Sequence, residues 1–245
     1  MEETRYSTRF VPVSDLDEGT RLRMARLYLA SYDGSSETVF FGDLARKHEV
    51  LLVQADAELI GFTTLRVFEW EWQGDAVRIV YSGDTVIARA HWGQQALAFA
   101  WITRMGELKA ERPDLPLYWF LLVKGHRTFR YLPVFGKSFY PHWSEDRSDL
   151  KPLADALASA MFGSDYNAAS GVVEFDESRG HLKPDIALPA PEELEREGVR
   201  FFLERNPGFR RGHELVCLCE VEERNMKPLT LRLFRKHARG ERRAV

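Results

Sequence analysis

The stretch from Leu59 to Ile87 constrains this fold more than any other. Within Leu59–Trp72, Phe68, Trp70 and Trp72 fall on one side, and Glu69 and Glu71 on the other. That is the period-two alternation of a β-strand with one wet face. Gln73-Gly74-Asp75 then leads into a second β-like run, Ala76–Ile87. A connection this short joins antiparallel neighbours, because a parallel pair needs a long crossover. Val50–Gln54 enters the same series through Ala55–Glu58, so three strands are expected to pair antiparallel in succession.

Helical spacing takes over at His91. Leu97, Trp101, Met105 and Leu108 predict a helix over Trp92–Glu111, and Pro113 stops it. Pro116 opens Leu117–Val123, which is nearly all apolar and suits a central strand. Upstream, Arg9–Val13 is β-like. Ser14, Asp15 and Asp17 then offer a helix entry for a stripe of Leu22, Ala25 and Leu29, with Met24 and Tyr28 alongside. Glu37–Lys47 is a second short helix or turn, and His126–Val134 a further short helix. Three antiparallel strands followed by a strand–helix–strand crossover make an α+β chain. Its central sheet is mixed, mostly antiparallel, with helices on both faces.

At 245 residues, with 44% hydrophobic and 29% charged residues, the chain can bury a full core without staples. One domain is expected: a core at 1–142, an insertion or elaboration at 143–213, and a late strand, Glu214–Val221, joining the same sheet. A basic C-terminal helix or tail completes 214–245. Inside the elaboration, Leu153, Leu157 and Met161 predict a helix and Val172–Phe175 a strand. Pro184–Pro191 reads as a loop and Glu192–Glu204 as another helix. The elaboration is expected to cover or shape one side of any active site.

The formal net charge of −3 argues against a nucleic-acid partner, and the basic run from Arg232 to Arg243 suits a solvated tail. Cys217 and Cys219, at i and i+2 of a strand, point the same way without bridging each other and fit a reducing compartment. No apolar run approaches the roughly 20 residues that cross a bilayer. The N-terminus has no signal-peptide pattern, so the expectation is a cytoplasmic protein with no membrane span.

The chemistry points to the junction Tyr81–Leu97, where a β-run passes through a tight turn into a helix. A helix start offers unpaired N–H groups and the positive end of the dipole, which suit a phosphate. The bland alternative is an ordinary strand-to-helix turn eased by Gly93. Asp84 is a carboxylate in an otherwise apolar strand segment and a candidate general base; it could equally bond local backbone. Strand parity groups it with Ser82 and Val86. Glu69 and Glu71 are weaker candidates on a solvated face. The seven histidines are scattered without ligand spacing, so no metal is expected. Phe68, Trp70 and Trp72 suit a core or an interface; if exposed, they would accept an apolar chain or a homodimer partner.

From Arg9 to Pro141 the chain resembles the GNAT superfamily of CoA-dependent N-acyltransferases. The residues carrying the resemblance are the strand end Thr85-Val86-Ile87 and the turn Trp92-Gly93-Gln94-Gln95-Ala96-Leu97. Gly93 and Gln94 match common residues of the family's cofactor turn. Gln95 stands where the second turn glycine is usual, and Trp92 where Arg or Gln is. The resemblance implies acetyl-CoA or a longer acyl-CoA as co-substrate, or an acyl carrier bearing a lone phosphate. It implies binding along Val86, Ile87 and the turn, with Arg89 or the Gln amides compensating for the missing glycine. It also implies that Leu117–Val123 diverges from the preceding strand, that Tyr131 acts as general acid, and that the acceptor is a small-molecule or protein amine. The alternative is a non-catalytic GNAT-like binding module, in which Trp92, Gln94 or Gln95 fills the turn.

Overall fold

The computed structural model describes residues 4–176 and 178–236, so much of the basic C-terminal run lies outside the described residues. The chain opens with β1 (Tyr6–Pro12) and α1 (Glu18–Ser31), then β2 (Tyr32–Asp33) and α2 (Glu37–Leu44). Asp17 caps α1, accepting from Thr20 N and Thr20 Oγ1 at 2.7 Å each. Ser36 caps α2, accepting from Val39 N at 3.2 Å. Then come β3 (Glu49–Ala55), β4 (Glu58–Trp72), β5 (Asp75–Ile87), α3 (Ala96–Glu111) and β6 (Leu117–Val123). Two short turns of helix, α4 (His126–Phe129) and α5 (Tyr131–Phe135), follow.

The expected series β3–β4–β5 is antiparallel throughout, and β1 pairs antiparallel with β3. The crossover through α3 makes β6 parallel to β5. After α6 (Lys151–Phe162) come β7 (Tyr166–Asn167), β8 (Val172–Val173), β9 (His181–Leu182), α7 (Pro184–Ala187) and α8 (Glu197–Arg205). Finally β10 (Glu214–Glu220) pairs antiparallel with β6, from Leu215 opposite Val123 to Glu220 opposite Tyr118, and α9 (Pro228–Phe234) follows. The sheet runs β1-β3-β4-β5-β6-β10-β8-β7, while β2 and β9 form a separate two-stranded ladder.

Helices cover both faces. Under α3 lie Leu51, Val53, Leu65, Val80, Trp119 and Cys217, with Trp101 and Met105 inserted from the helix. Beneath α1 and α2, Met24, Phe40, Val50, Phe62 and Val86 form a second cluster. Beneath α6, Ile79, Phe120, Leu153, Leu157 and Val216 form a third. Phe68, Trp70 and Trp72 are partly buried and pack against that third cluster. Cys217 and Cys219 are buried on one face and unbridged. Among the described residues no helix is long and apolar enough to cross a membrane.

Several boundaries differ from expectation. α3 starts at Ala96, not Trp92, because Arg89–His91 forms a 3-10 turn and Gly93 takes φ +94°, a left-handed conformation that ends regular structure. The late helix is Glu197–Arg205, preceded by a 3-10 turn at Pro191–Glu193. The proline-rich loop contains a single helical turn, α7, entered through Pro184 at a position that needs no N–H donor.

Candidate active site

The site begins where β5 and β6 part. Their parallel pairing runs from Arg78 opposite Leu117 to Ser82 opposite Leu121 and stops there, although β5 continues to Ile87 and β6 to Val123. At that point β5 carries a β-bulge. Gly83 and Asp84 together face the single residue Thr64 of β4, between the pairs Leu65–Ser82 and Thr63–Thr85. A bulge shifts which face each later side chain takes. Before it, Ser82 points toward α3, where its Oγ accepts from Trp119 Nε1 at 2.8 Å. After it, Val86 belongs to the opposite cluster under α1 and α2. The expected grouping of Asp84 with both Ser82 and Val86 therefore fails for Ser82. A Cβ on Gly83 would strike Thr64 Oγ1 and Lys47 Cε, so this bulge has room only for glycine.

Two cavities meet at the gap. The first, of about 310 Å³, lies on the α1/α2 side and is lined by Tyr28, Phe40, Asp43, Tyr81, Asp84 and Lys124, among others. The second, of about 680 Å³, is lined by Val86, Ile87, Trp92, Gln94, Arg127 and Tyr131, among others. They share Tyr32, Thr85, Gly125, Thr128 and Leu182 as common walls. Cavities of 300–1,000 Å³ are the usual size for small ligands.

Most charges in and around the first cavity are paired; of its lining residues, Asp84 and Arg46 form no ion pair among the described residues. Lys47, a buried side chain, bonds Asp43, and its Nζ lies 5.0 Å from the Tyr81 ring centroid. Lys124 pairs with Glu214 at 3.1 Å and lies 5.4 Å from the Tyr32 ring centroid. Burial works against the Lys124 ammonium, but Glu214, Tyr32, Tyr28 and Asp84 raise its pKa on balance. Asp84 lines the cavity without a hydrogen bond or ion pair among the described residues, so the alternative of a local backbone bond does not hold. Burial, reinforced by the Asp43 carboxylate, pushes it up to about 6 against the pull of Lys124 and Lys47. A carboxylate at that value is ionised at neutral pH and basic enough to take a proton.

In the second cavity, Tyr131 sits on α5 with its ring stacked on Phe135, centroids 5.6 Å apart. Burial raises its pKa, so the phenol keeps its proton at neutral pH. Val86 and Ile87 form the strand end, and beyond Ser82 their edge of β5 has no strand partner. The turn, however, satisfies itself. Gln94 Oε1 accepts from Ala96 N at 2.6 Å and Leu97 N at 3.4 Å, the N–H groups at the start of α3. Trp92 Nε1 donates to Ile87 O at 2.9 Å. Gln95 is exposed as the helix cap residue and makes no side-chain capping bond. Arg89 pairs with Asp185 at 2.7 Å and lies 5.6 Å from the Trp92 ring centroid, on the rim rather than inside.

The elaboration contributes walls to both cavities. Phe162, Phe175 and Arg179 wall the first cavity, while Ile186, Ala190, Glu193 and Arg196 wall the second. The ladder of β2 with β9, pairing Tyr32 with Leu182, fixes it across the gap. Lys124, Glu214, Asp43, Arg127 and Arg196 were not singled out from the sequence. Arg127 and Arg130 stand at i and i+3 after the central strand, the one local signal that marks a basic face there.

No protein-family model matches the sequence, and no curated protein matches it. Among solved structures, the chain is similar to a conserved protein of unknown function, a probable N-acyltransferase, from Enterococcus faecalis. The identity is 12% and the TM-score 0.41, over 55% of this chain and 33% of that one. It is similar to the GNAT family N-acetyltransferase YhbS from Escherichia coli in complex with CoA, at 15% identity and TM-score 0.39, over 54% of this chain and 69% of that one. A GCN5-related N-acetyltransferase from Kribbella flavida matches at 17% identity and TM-score 0.39, over 54% of this chain and 34% of that one. This chain thus spans about a third of the first and third of these proteins. At these identities the likeness concerns the arrangement of strands and helices alone.

Proposed function

We propose that the protein transfers an acyl group from a pantetheine thioester, acyl-CoA or an acyl carrier, to an amine. The observation that carries this is the pair of cavities meeting at the β5–β6 gap, with an unpaired carboxylate in one and a protonated phenol in the other. The amine enters the first cavity as an ammonium and loses a proton to Asp84, directly or through water. The free amine attacks the thioester carbonyl across the gap. The C–N bond forms and the C–S bond breaks as Tyr131 gives its proton to the departing sulfur; the second proton leaving the attacking nitrogen returns through water to the Tyr131 oxygen, and Asp84 releases its proton to solvent. Each proton transfer contributes about 10²–10⁴-fold. The apolar and half-buried walls at Val86 and Ile87 suit the pantetheine arm and acyl chain.

A second reading is a binding module without turnover. The bonds of Gln94 and Trp92 within the turn favour it, since they satisfy backbone groups that a ligand would otherwise meet. Calorimetry or thermal shift with acetyl-CoA, a long acyl-CoA and free CoA tests the transferase reading. Ligand at 100 times its dissociation constant stabilises the fold by about 2.7 kcal/mol. A melting temperature unmoved by all three contradicts it.

A further inference from the structure

The mouth of the larger cavity carries more positive charge than the protein neutralises. One carboxylate, Glu193 of the elaboration, is approached by His126 Nε2 at 3.3 Å, Arg127 Nη2 at 3.1 Å and Arg130 Nη1 at 3.7 Å. Glu193 also accepts from Ala190 N at 3.1 Å, which leaves its two oxygens crowded with donors. Arg127 donates as well to Ile186 O. Arg196 and Glu192 also line this cavity, and neither forms an ion pair among the described residues, so three arginines face two carboxylates there. The Arg130 side chain is 44% exposed, so its guanidinium is within reach of a ligand. Burial and the neighbouring charges of Arg196 and Arg127 lower its pKa, a sign of cations held together without enough anions.

The start of α3 is the opposite case. Its first N–H groups are occupied by the Gln94 amide, and the Gln95 side chain adds bulk at the cap. A dianionic group entering this cavity meets uncompensated charge at α4, α5 and the elaboration. At the helix turn it must first displace a bond.

Given the transfer reading above, on which this step rests, we infer that Arg130 and Arg196, backed by Arg127, form the anion subsite of the cavity. They hold the phosphate of the donor's pantetheine arm, in place of the α3 turn. The phosphate is the one on the pantetheine arm, which CoA and a carrier-bound arm both present. Arginine suits it through bidentate, charge-assisted hydrogen bonds.

Calorimetry on the full chain with CoA, 4′-phosphopantetheine and pantetheine tests this. The wild type is expected to bind the two phosphorylated ligands at least about tenfold more tightly than pantetheine. Equal affinity for CoA and 4′-phosphopantetheine supports a single-phosphate site suited to a carrier. A further gain with CoA supports the nucleotide as the source. The double variant Arg130→Gln/Arg196→Gln is expected to bind all three like pantetheine, with its melting temperature unchanged. Should that variant fold poorly, a salt titration of the wild type decides: CoA affinity falls with ionic strength while pantetheine affinity stays level. A variant that keeps full CoA affinity, or a salt-independent CoA affinity, overturns the subsite and leaves the transfer reading standing. Absence of binding by all three ligands overturns both.

Discussion

At the scale of single residues, the site depends on two groups whose surroundings suit opposite proton transfers. Burial lifts Asp84 from the ordinary 3.8 to about 6, and burial keeps the Tyr131 phenol protonated. The rate at limiting substrate is therefore expected to rise with pH through about 6, as Asp84 ionises. Asp84→Asn removes the base and should lower turnover by about 10²–10⁴-fold at pH 7–8. Its effect on stability has the opposite sign. The folded state binds the Asp84 proton more tightly than the unfolded chain does. The contribution of this group is thus fully present below pH 4 and is lost as pH rises through 6. Asp84→Asn should consequently melt higher than wild type at pH 8 and show no such advantage at pH 4. A melting temperature at pH 8 well below wild type would assign Asp84 a structural role. Tyr131→Phe keeps the stack on Phe135 and should lower turnover by about 10–10³-fold with donor affinity unchanged. Full activity in that variant would remove Tyr131 from the chemistry.

At the scale of elements, the bulge in β5 connects backbone to function. It delivers Asp84 to the α1/α2 side, and it depends on Gly83 lying against Thr64 and Lys47. Gly83→Ala should cost about 1–3 kcal/mol in urea denaturation, as overpacking does, and should lower activity by misplacing Asp84. A variant as stable and active as wild type would show that the strand tolerates a side chain there. This element also marks how far the sequence could be read. The alternation in β4 and β5, the stripe of α3 and the apolar run of β6 were legible, because each follows from one residue's relation to its near neighbours. The bulge was not, because alternation alone cannot reveal where a strand gains a residue. The start of α3 was misplaced because Trp92 fits the apolar stripe, although it bonds Ile87 O outside the helix. Arg196 and Glu193 came to the cavity through tertiary contacts of the elaboration, which no local pattern encodes.

At the scale of the whole molecule, the parting of β5 and β6 turns a sheet into a site. β10 beside β6 and β4 beside β5 hold each flank in the ladder, so the gap lies between two supported strands. The elaboration closes it from outside through β9 and α7. In the proposed reaction, a thioester in one cavity meets an amine in the other. Its most direct test is amine-dependent release of free thiol from acetyl-CoA and longer acyl-CoA, across a panel of primary amines. Cys217 and Cys219 are buried, which keeps the protein's own thiol background low. The wild type is expected to release thiol only when both substrates are present, at a rate rising through pH 6 and at least about 10²-fold lower in Asp84→Asn. Acyl-CoA that binds yet releases no thiol above the uncatalysed rate with any amine would contradict transfer and leave a binding module.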